Sequence, residues 1–222
     1  NPVYAAVRER FRLLELDASA YGRAEWNPLG GWIKPGMRVL LKPNLVRHFH
    51  PYGLDTRAIY THGSVVRAVA DFAWRALEGK GELVVADAPL QSCDFGEVCR
   101  LSGISAMVQF YRERNIPVDV RDLRLVRAVA EARSWLGRVL VHYDNEGDPA
   151  GYSEIDLGPR SLHACRERSG RYRVPCYDPA RMGRHHGDGR HSYVIANTLL
   201  RADVVLNLPK MKTHHKAGIT GC

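Results

Sequence analysis

Apolar residues recur along this chain with two periods, and the switches between them mark out its elements. Val3, Val7, Phe11 and Leu14 fall at helical spacing among arginines, which predicts an amphipathic helix over 2–16. Turn chemistry follows at Asn27-Pro28-Leu29-Gly30-Gly31 and again at Lys34-Pro35-Gly36. Met37 to Leu41 is the first run with the apolar, partly β-branched character of a buried strand, and Lys42-Pro43-Asn44 closes it. Thr61 or Ser64 can cap a second helix whose apolar face is Val65, Val69, Phe72, Ala73 and Ala76, ended by Gly79 or Gly81. Leu83 to Ala86 runs as a strand into Asp87-Ala88-Pro89. A helical region over 97–114, broken near Gly103, precedes a short strand over 118–120. This strand–helix alternation implies parallel pairing with right-handed crossovers.

The second half is patterned less regularly. Residues 123–135 read as a helix. Residues 138–143 and 152–157 read as an antiparallel hairpin closed by Asp144-Asn145-Glu146-Gly147-Asp148-Pro149. Residues 159–190 have little apolar periodicity and are dense in Arg, His and Gly, so they read as a long, insertion-like basic loop of the functional or mobile kind. A strand over 192–195, a helical turn near 197–201 and a final strand over 203–208 complete the chain. The expected architecture is one α/β domain over 1–222, a mostly parallel sheet with flanking helices, an antiparallel hairpin and the basic loop.

Composition narrows the chemistry. The 222 residues, 45% hydrophobic and 25% charged, are ordinary for a globular chain that buries a core. The formal charge of +8 points towards anionic partners, a signal diluted because the excess is spread in Arg along the chain; a small anionic ligand is expected and nucleic acid is not. No apolar run approaches the ~20 residues that span a bilayer, and no leader pattern opens the chain. Cysteines 93, 99, 165, 176 and 222 form no Cys-x-x-Cys and no iron–sulfur motif, and reduced thiols in a cytoplasmic protein are expected. Nothing in the composition specifies an oligomeric state. The chain opens at Asn1 without Met and stops just after Gly221, which reads as a trimmed fragment.

Charge placement points to a site. Only six of the 32 basic residues are Lys, and three of those, Lys210, Lys212 and Lys216, follow the last strand. An ammonium is compact and can lose its proton when desolvated, whereas guanidinium cannot. Pro209 ends the strand ladder because it has no N–H to donate. Past it come the three lysines, Thr213, His214, His215, Gly218 and Thr220. In open α/β sheets, ligands sit beyond the carboxyl ends of the strands. Three such ends supply Lys42 and Asn44, Asp87, and Asn207 with Lys210 and Lys212. Lys210, His214, His215 and Asp87 are therefore the candidate catalytic residues. Lys42, Asn44, Asn207, Lys212, Thr213, Lys216, Gly218 and Thr220 are the candidate anion-binding set. Structural ion pairs and a solvated basic loop are the competing readings. A divalent metal stays open, at Asp87 or at the His48/His50 and His185/His186/His191 sets, for which plain loop histidines are the stronger reading. Walker, dinucleotide and hydrolase-elbow motifs are missing.

Four motifs carry a resemblance: Leu-Leu-Lys-Pro-Asn-Leu-Val (40–46), Thr-His-Gly-Ser-Val-Val-Arg-Ala-Val (61–69), Val-Ala-Asp-Ala-Pro (85–89) and Asn-Leu-Pro-Lys-Met-Lys-Thr-His (207–214) with Gly-Ile-Thr-Gly after it. Over 31–222 the chain resembles the domain of unknown function 362 family. The resemblance implies an α/β fold, with distant similarity to the N-terminal part of nickel-dependent lactate racemase. It also implies further α/β structure beyond Gly221, so the chain reads as C-terminally incomplete. Some members carry four-iron clusters on added cysteine motifs that this chain lacks. Versions with Asn-Pro-Leu-Gly and Asp-Ala-Pro resemble proteins encoded among polysaccharide biosynthesis genes. The family name itself fixes no reaction. The leading expectation, from the lysine, histidine and Asp87 placement, is an enzyme acting on a small anionic substrate such as a sugar phosphate, nucleotide sugar or hydroxy acid. A non-catalytic polyanion-binding module and a metal- or cofactor-dependent redox protein are the alternatives.

Overall fold

The computed structural model describes residues 1–133, 137–162, 179–187, 190–214 and 217–221. In chain order the first elements are helix α1 (Pro2–Leu13), strand β1 (Arg38–Pro43), helix α2 (Gly63–Ala76) and strand β2 (Glu82–Asp87). Helices α3 (Phe95–Ser102) and α4 (Ile104–Arg112) lead to strand β3 (Val118–Asp122). Strands β4 (Val126–Arg133), β5 (Gly137–Asp144) and β6 (Tyr152–Asp156) follow, then helix α5 (Pro179–His185), strands β7 (His186–Gly187) and β8 (Arg190–Ala196) and helix α6 (Asn197–Leu200). Strands β9 (Val204–Leu208), β10 (Lys212–His214) and β11 (Gly218–Thr220) end the chain. These residues form two compact units. One comprises 1–89, 93–122 and 201–222, and the other 90–92 and 123–200.

The first unit is built on a four-stranded sheet of order β3-β2-β1-β9, with all neighbours parallel. The expected parallel sheet of the segments 37–42, 83–87 and 203–208 is therefore present. Alternation along each strand sends Val39 and Leu41, Leu83 and Val85, Val118 and Val120, and Val204 and Leu206 into the core. Val66, Val69 and Ala73 of α2 and Ile104, Met107 and Tyr111 of α4 meet them there. Phe11 of α1 packs edge-on against Phe72 of α2, 5.2 Å between ring centres. The helix break expected near Gly103 falls there, at φ +86, a conformation glycine adopts without steric cost.

Two local expectations shift. Helix α1 stops at Leu13, short of 16, because Glu15 and Asp17 take left-handed φ values of 56 and 51. The cap of α2 is His62, whose Nδ1 accepts from Ser64 N at 3.2 Å. Neither Thr61 nor Ser64 caps it: the Thr61 hydroxyl is committed to other backbone groups, and Ser64 lies inside the first turn.

The second unit overturns two readings. Residues 126–133, expected within a helix, form β4, paired antiparallel with β5 from Val126↔Asp144 to Arg133↔Gly137. The alanines of this segment favour a helix locally, but the β-branched Val139 and Val141 of β5 need a partner ladder, and non-local pairing overrides propensity. The expected 138–143/152–157 hairpin does not form either. Strand β6 pairs antiparallel with β8 instead, from Tyr152↔Ala196 to Asp156↔Ser192. The connecting segment is used differently from a simple turn. Asp148, 5% exposed, accepts from Thr198 N at 2.6 Å and from Thr198 Oγ1 at 2.5 Å, which anchors α6 where a helical turn was expected. Within the expected basic loop, 179–187 carry α5 and β7, so this part is regular structure; 163–178, 188 and 189 lie outside the described residues.

Candidate functional site

The carboxyl ends of β1, β2 and β9 are held together by a small set of polar contacts. Lys42, the next-to-last residue of β1, lies in register with Asn207 of β9. Its ammonium lies 3.0 Å from Oδ1 of Asp87, the last residue of β2. Oδ2 of the same carboxylate accepts from Leu45 N at 2.8 Å. Asp87 is only 4% exposed, and both of its carboxylate oxygens are partnered, one by a cation and one by a backbone N–H. Thr61 ties the third strand end in. Its hydroxyl accepts from Asn44 N at 3.1 Å and donates to Leu208 O at 2.7 Å, and its own N–H donates to Asn44 O at 2.9 Å.

Directly after Leu45, Val46 adopts φ +53. A β-branched residue in the left-handed region costs about 1–3 kcal/mol and persists only where its surroundings over-determine it. Here the Asp87 bond to Leu45 and the near-complete burial of Leu45 do so. Farther along this loop, His48 Nδ1 accepts from Asp94 N at 2.8 Å, which joins it to the N-cap of α3. Strain of this kind concentrates at functional sites. Sequence reasoning missed Val46 because nothing in Leu-Val-Arg signals a left-handed turn. It took Thr61 for a helix cap, and the Thr-His-Gly-Ser context was its only pointer.

Beyond Pro209, the candidate anion-binding residues fall on a hairpin. Strands β10 and β11 pair as Lys212↔Thr220, Thr213↔Ile219 and His214↔Gly218. The pairing sets Lys212 Nζ 2.8 Å from Thr220 Oγ1. Burial pushes the Lys212 pKa below the ordinary lysine value, and the charge of Lys210 pushes it further down. His214 Nδ1 accepts from Ala217 N at 3.1 Å. Asn207, Thr213 and Gly218 are exposed, whereas Lys210 and Thr220 are partly buried. His215 and Lys216 lie outside the described residues. The parallel order of β2, β1 and β9 thus puts Lys42, Asn44, Asp87, Asn207 and Lys210 at one sheet edge, and the hairpin after it adds Lys212, Thr213, His214, Gly218 and Thr220.

The other candidate chemistry is tied up in structure. His50 Nδ1 accepts from Tyr52 N at 3.2 Å, and His185 Nδ1 contacts Glu154 and Ser192, each at 3.1 Å. Among the described residues, no three or more of His, Cys, Asp and Glu are grouped to hold a metal ion. Cys93 and Cys99 are both buried. Burial, then the neighbouring Cys93, push the Cys99 thiol up to about 12, so it stays protonated and is a poor nucleophile. Both cysteines are accordingly expected to resist a disulfide reagent in the folded protein and to react once it is unfolded, as read by mass mapping. Rapid labelling of Cys99 under native conditions would contradict this packing.

Residues 39–143 and 168–222 match the family model described as Domain of unknown function (DUF362). The chain belongs to this family. No curated protein and no solved structure matches the chain. The DUF362 match takes in every candidate residue from Lys42 to Thr220 and leaves out the segment before β1. Among the described residues no helix is long and apolar enough to cross a membrane.

Proposed function

We propose that this DUF362 domain is an enzyme acting on a small anionic substrate held at the carboxyl edge of its parallel sheet. The observation that carries the reading is Lys212: partly desolvated, lowered in pKa beside Lys210, and bonded to Thr220. Two cations set close together in a partly dry place repel each other, and a bound anion relieves that cost. Lys210 and Lys212 would hold the anionic group, with Asn207 and Thr213 as hydrogen-bonding groups and Lys42 steadied by Asp87. Lys212, with its pKa lowered by burial and by Lys210, and the neighbouring His214 imidazole are the groups proposed for proton transfer. The resemblance of Asn27–Gly30 and Asp87–Pro89 to proteins of polysaccharide biosynthesis favours a sugar phosphate or nucleotide sugar over a hydroxy acid.

Calorimetry with inorganic phosphate, glucose 1-phosphate, a uridine diphosphate sugar and lactate tests the reading. Lys210→Arg and Lys212→Arg should each weaken the tightest-binding of these about tenfold, roughly 1.4 kcal/mol, because guanidinium is larger, planar and unable to release its proton. Lys80→Arg, at an exposed turn, should leave it unchanged. Equal affinity in all three variants would mean a diffuse positive surface, the polyanion-binding alternative. The pH dependence has a definite sign. A bound anion raises the lowered Lys212 pKa back towards its ordinary value, so binding takes up a proton in the window between the two. Affinity should therefore fall as pH rises through that window, and the heat of binding should vary with the ionisation enthalpy of the buffer.

A further inference from the structure

A cavity of about 530 Å³ lies before β1, in the part of the chain that the DUF362 match leaves out. Glu15, Asp17, Asn27, Gly30, Gly31 and Trp32 line it. Its frame is fixed from both sides. The Trp26 indole N–H donates to Leu16 O at 2.9 Å, and Asn27 N donates to Asp17 Oδ2 at 2.8 Å. Trp26 and Leu29 anchor the second segment in the core, at 5% and 4% exposure. Lys34, at the turn into the amino end of β1, hydrogen-bonds Gly30 O through its ammonium. The anion site, by contrast, gathers past the carboxyl ends of the same strands.

The lining has a consistent chemistry. Trp32 is 58% exposed, an aromatic ring at the surface of a cavity lined also by Leu16 and Pro28. Glu15 and Asp17 offer carboxylate acceptors, and neither forms a salt bridge among the described residues. Asn27 Oδ1 is buried and accepts no hydrogen bond among the described residues, a state that costs about 1–3 kcal/mol. The cavity thus offers acceptors and one flat aromatic face. Its volume lies in the 300–1,000 Å³ range of small-molecule sites.

We propose that this cavity is a carbohydrate site that takes a neutral pyranose ring, stacked on Trp32 with its hydroxyls donating to Glu15, Asp17 and Asn27. A sugar ring has an apolar C–H face for the indole and a rim of O–H donors for the carboxylates. The two carboxylates repel phosphorylated and uronate sugars, so this site selects against the ligand class proposed for the sheet edge. An organic ammonium also fits an aromatic ring and carboxylates. It is disfavoured here because the Lys34 ammonium already sits on Gly30 O and the whole chain carries a formal charge of +8.

The test is saturation-transfer NMR on the whole chain with glucose, galactose, mannose and N-acetylglucosamine, each with its uronate or phosphate counterpart. At least one neutral pyranose should receive saturation, strongest at its ring C–H protons, and its charged counterpart should compete at least tenfold less well. Trp32→Ala, a change at an exposed position, should abolish the signal with the circular dichroism spectrum unchanged. Glu15→Gln should weaken it severalfold. Lys212→Arg should leave it untouched, so failure of the anion site and failure of this one read separately. Absence of transfer to all four sugars, transfer that survives Trp32→Ala, or displacement of the sugar by tetramethylammonium would each overturn the proposal, the last in favour of a cation site.

Discussion

Replacing Asp87 by alanine is expected to destabilise the protein by about 3 kcal/mol and to weaken the proposed anion binding at the sheet edge more than tenfold. The carboxylate is 4% exposed and holds Leu45 N and the Lys42 ammonium at once. Its removal leaves a buried amide N–H unsatisfied, which costs about 1–3 kcal/mol by itself, and a small void adds to that. The ion pair contributes less, because the Lys42 side chain is 36% exposed and rehydrates. Binding suffers because the strained Val46 is held by the Leu45 anchor, and the loop carrying Asn44 relaxes without it. Asp87→Asn retains an acceptor for Leu45 N and should cost only about 1 kcal/mol. Urea unfolding of the three proteins reads the difference. An alanine variant as stable as the parent would mean that the strand ends are joined by other contacts.

Gly63→Ala should be as damaging, about 3 kcal/mol, and for a purely steric reason. A Cβ at that position would stand 2.7 Å from Gly103 C, 2.8 Å from Ser102 O and 2.9 Å from Ile104 N. All three are backbone atoms of the α3–α4 junction and cannot swing aside as a side chain would. Overpacking of this kind costs 1–3 kcal/mol and more when the backbone must shift. Gly63 opens α2, so helix propensity alone predicts the opposite, a gain of up to ~1 kcal/mol for alanine. The sign of the change therefore separates the two effects. Gly31→Ala meets nothing within 4 Å and serves as the control, with an expected change inside about 0.5 kcal/mol. A neutral Gly63→Ala in chemical unfolding would show that α2 and the α3–α4 turn do not approach each other this closely.

The sequence by itself determined what local chemistry encodes. Strands that end in proline at 43, 89 and 209, with helical spacing between the first two, carry the parallel sheet, because a proline cannot continue a ladder wherever the chain goes. The break at Gly103 was legible for the same reason: only glycine takes that φ freely. The clustering of lysines after the last strand was visible as composition. Tertiary structure alone decided the rest. Residues 126–133 are alanine-rich enough for a helix and became a strand because the ladder with β5 adds hydrogen bonds and side-chain pairs that no local pattern contains. Asp148 accepts from Ala150 N in its own turn and also anchors Thr198, fifty residues on. Lys42 found Asp87 across forty-five residues, and Val46 took a conformation its own side chain disfavours. Of the lysines at the chain's end, Lys212 has its pKa lowered, by burial first and then by the charge of Lys210. Desolvation and charge repulsion depend on what lies nearby in space, and a linear spacing carries neither.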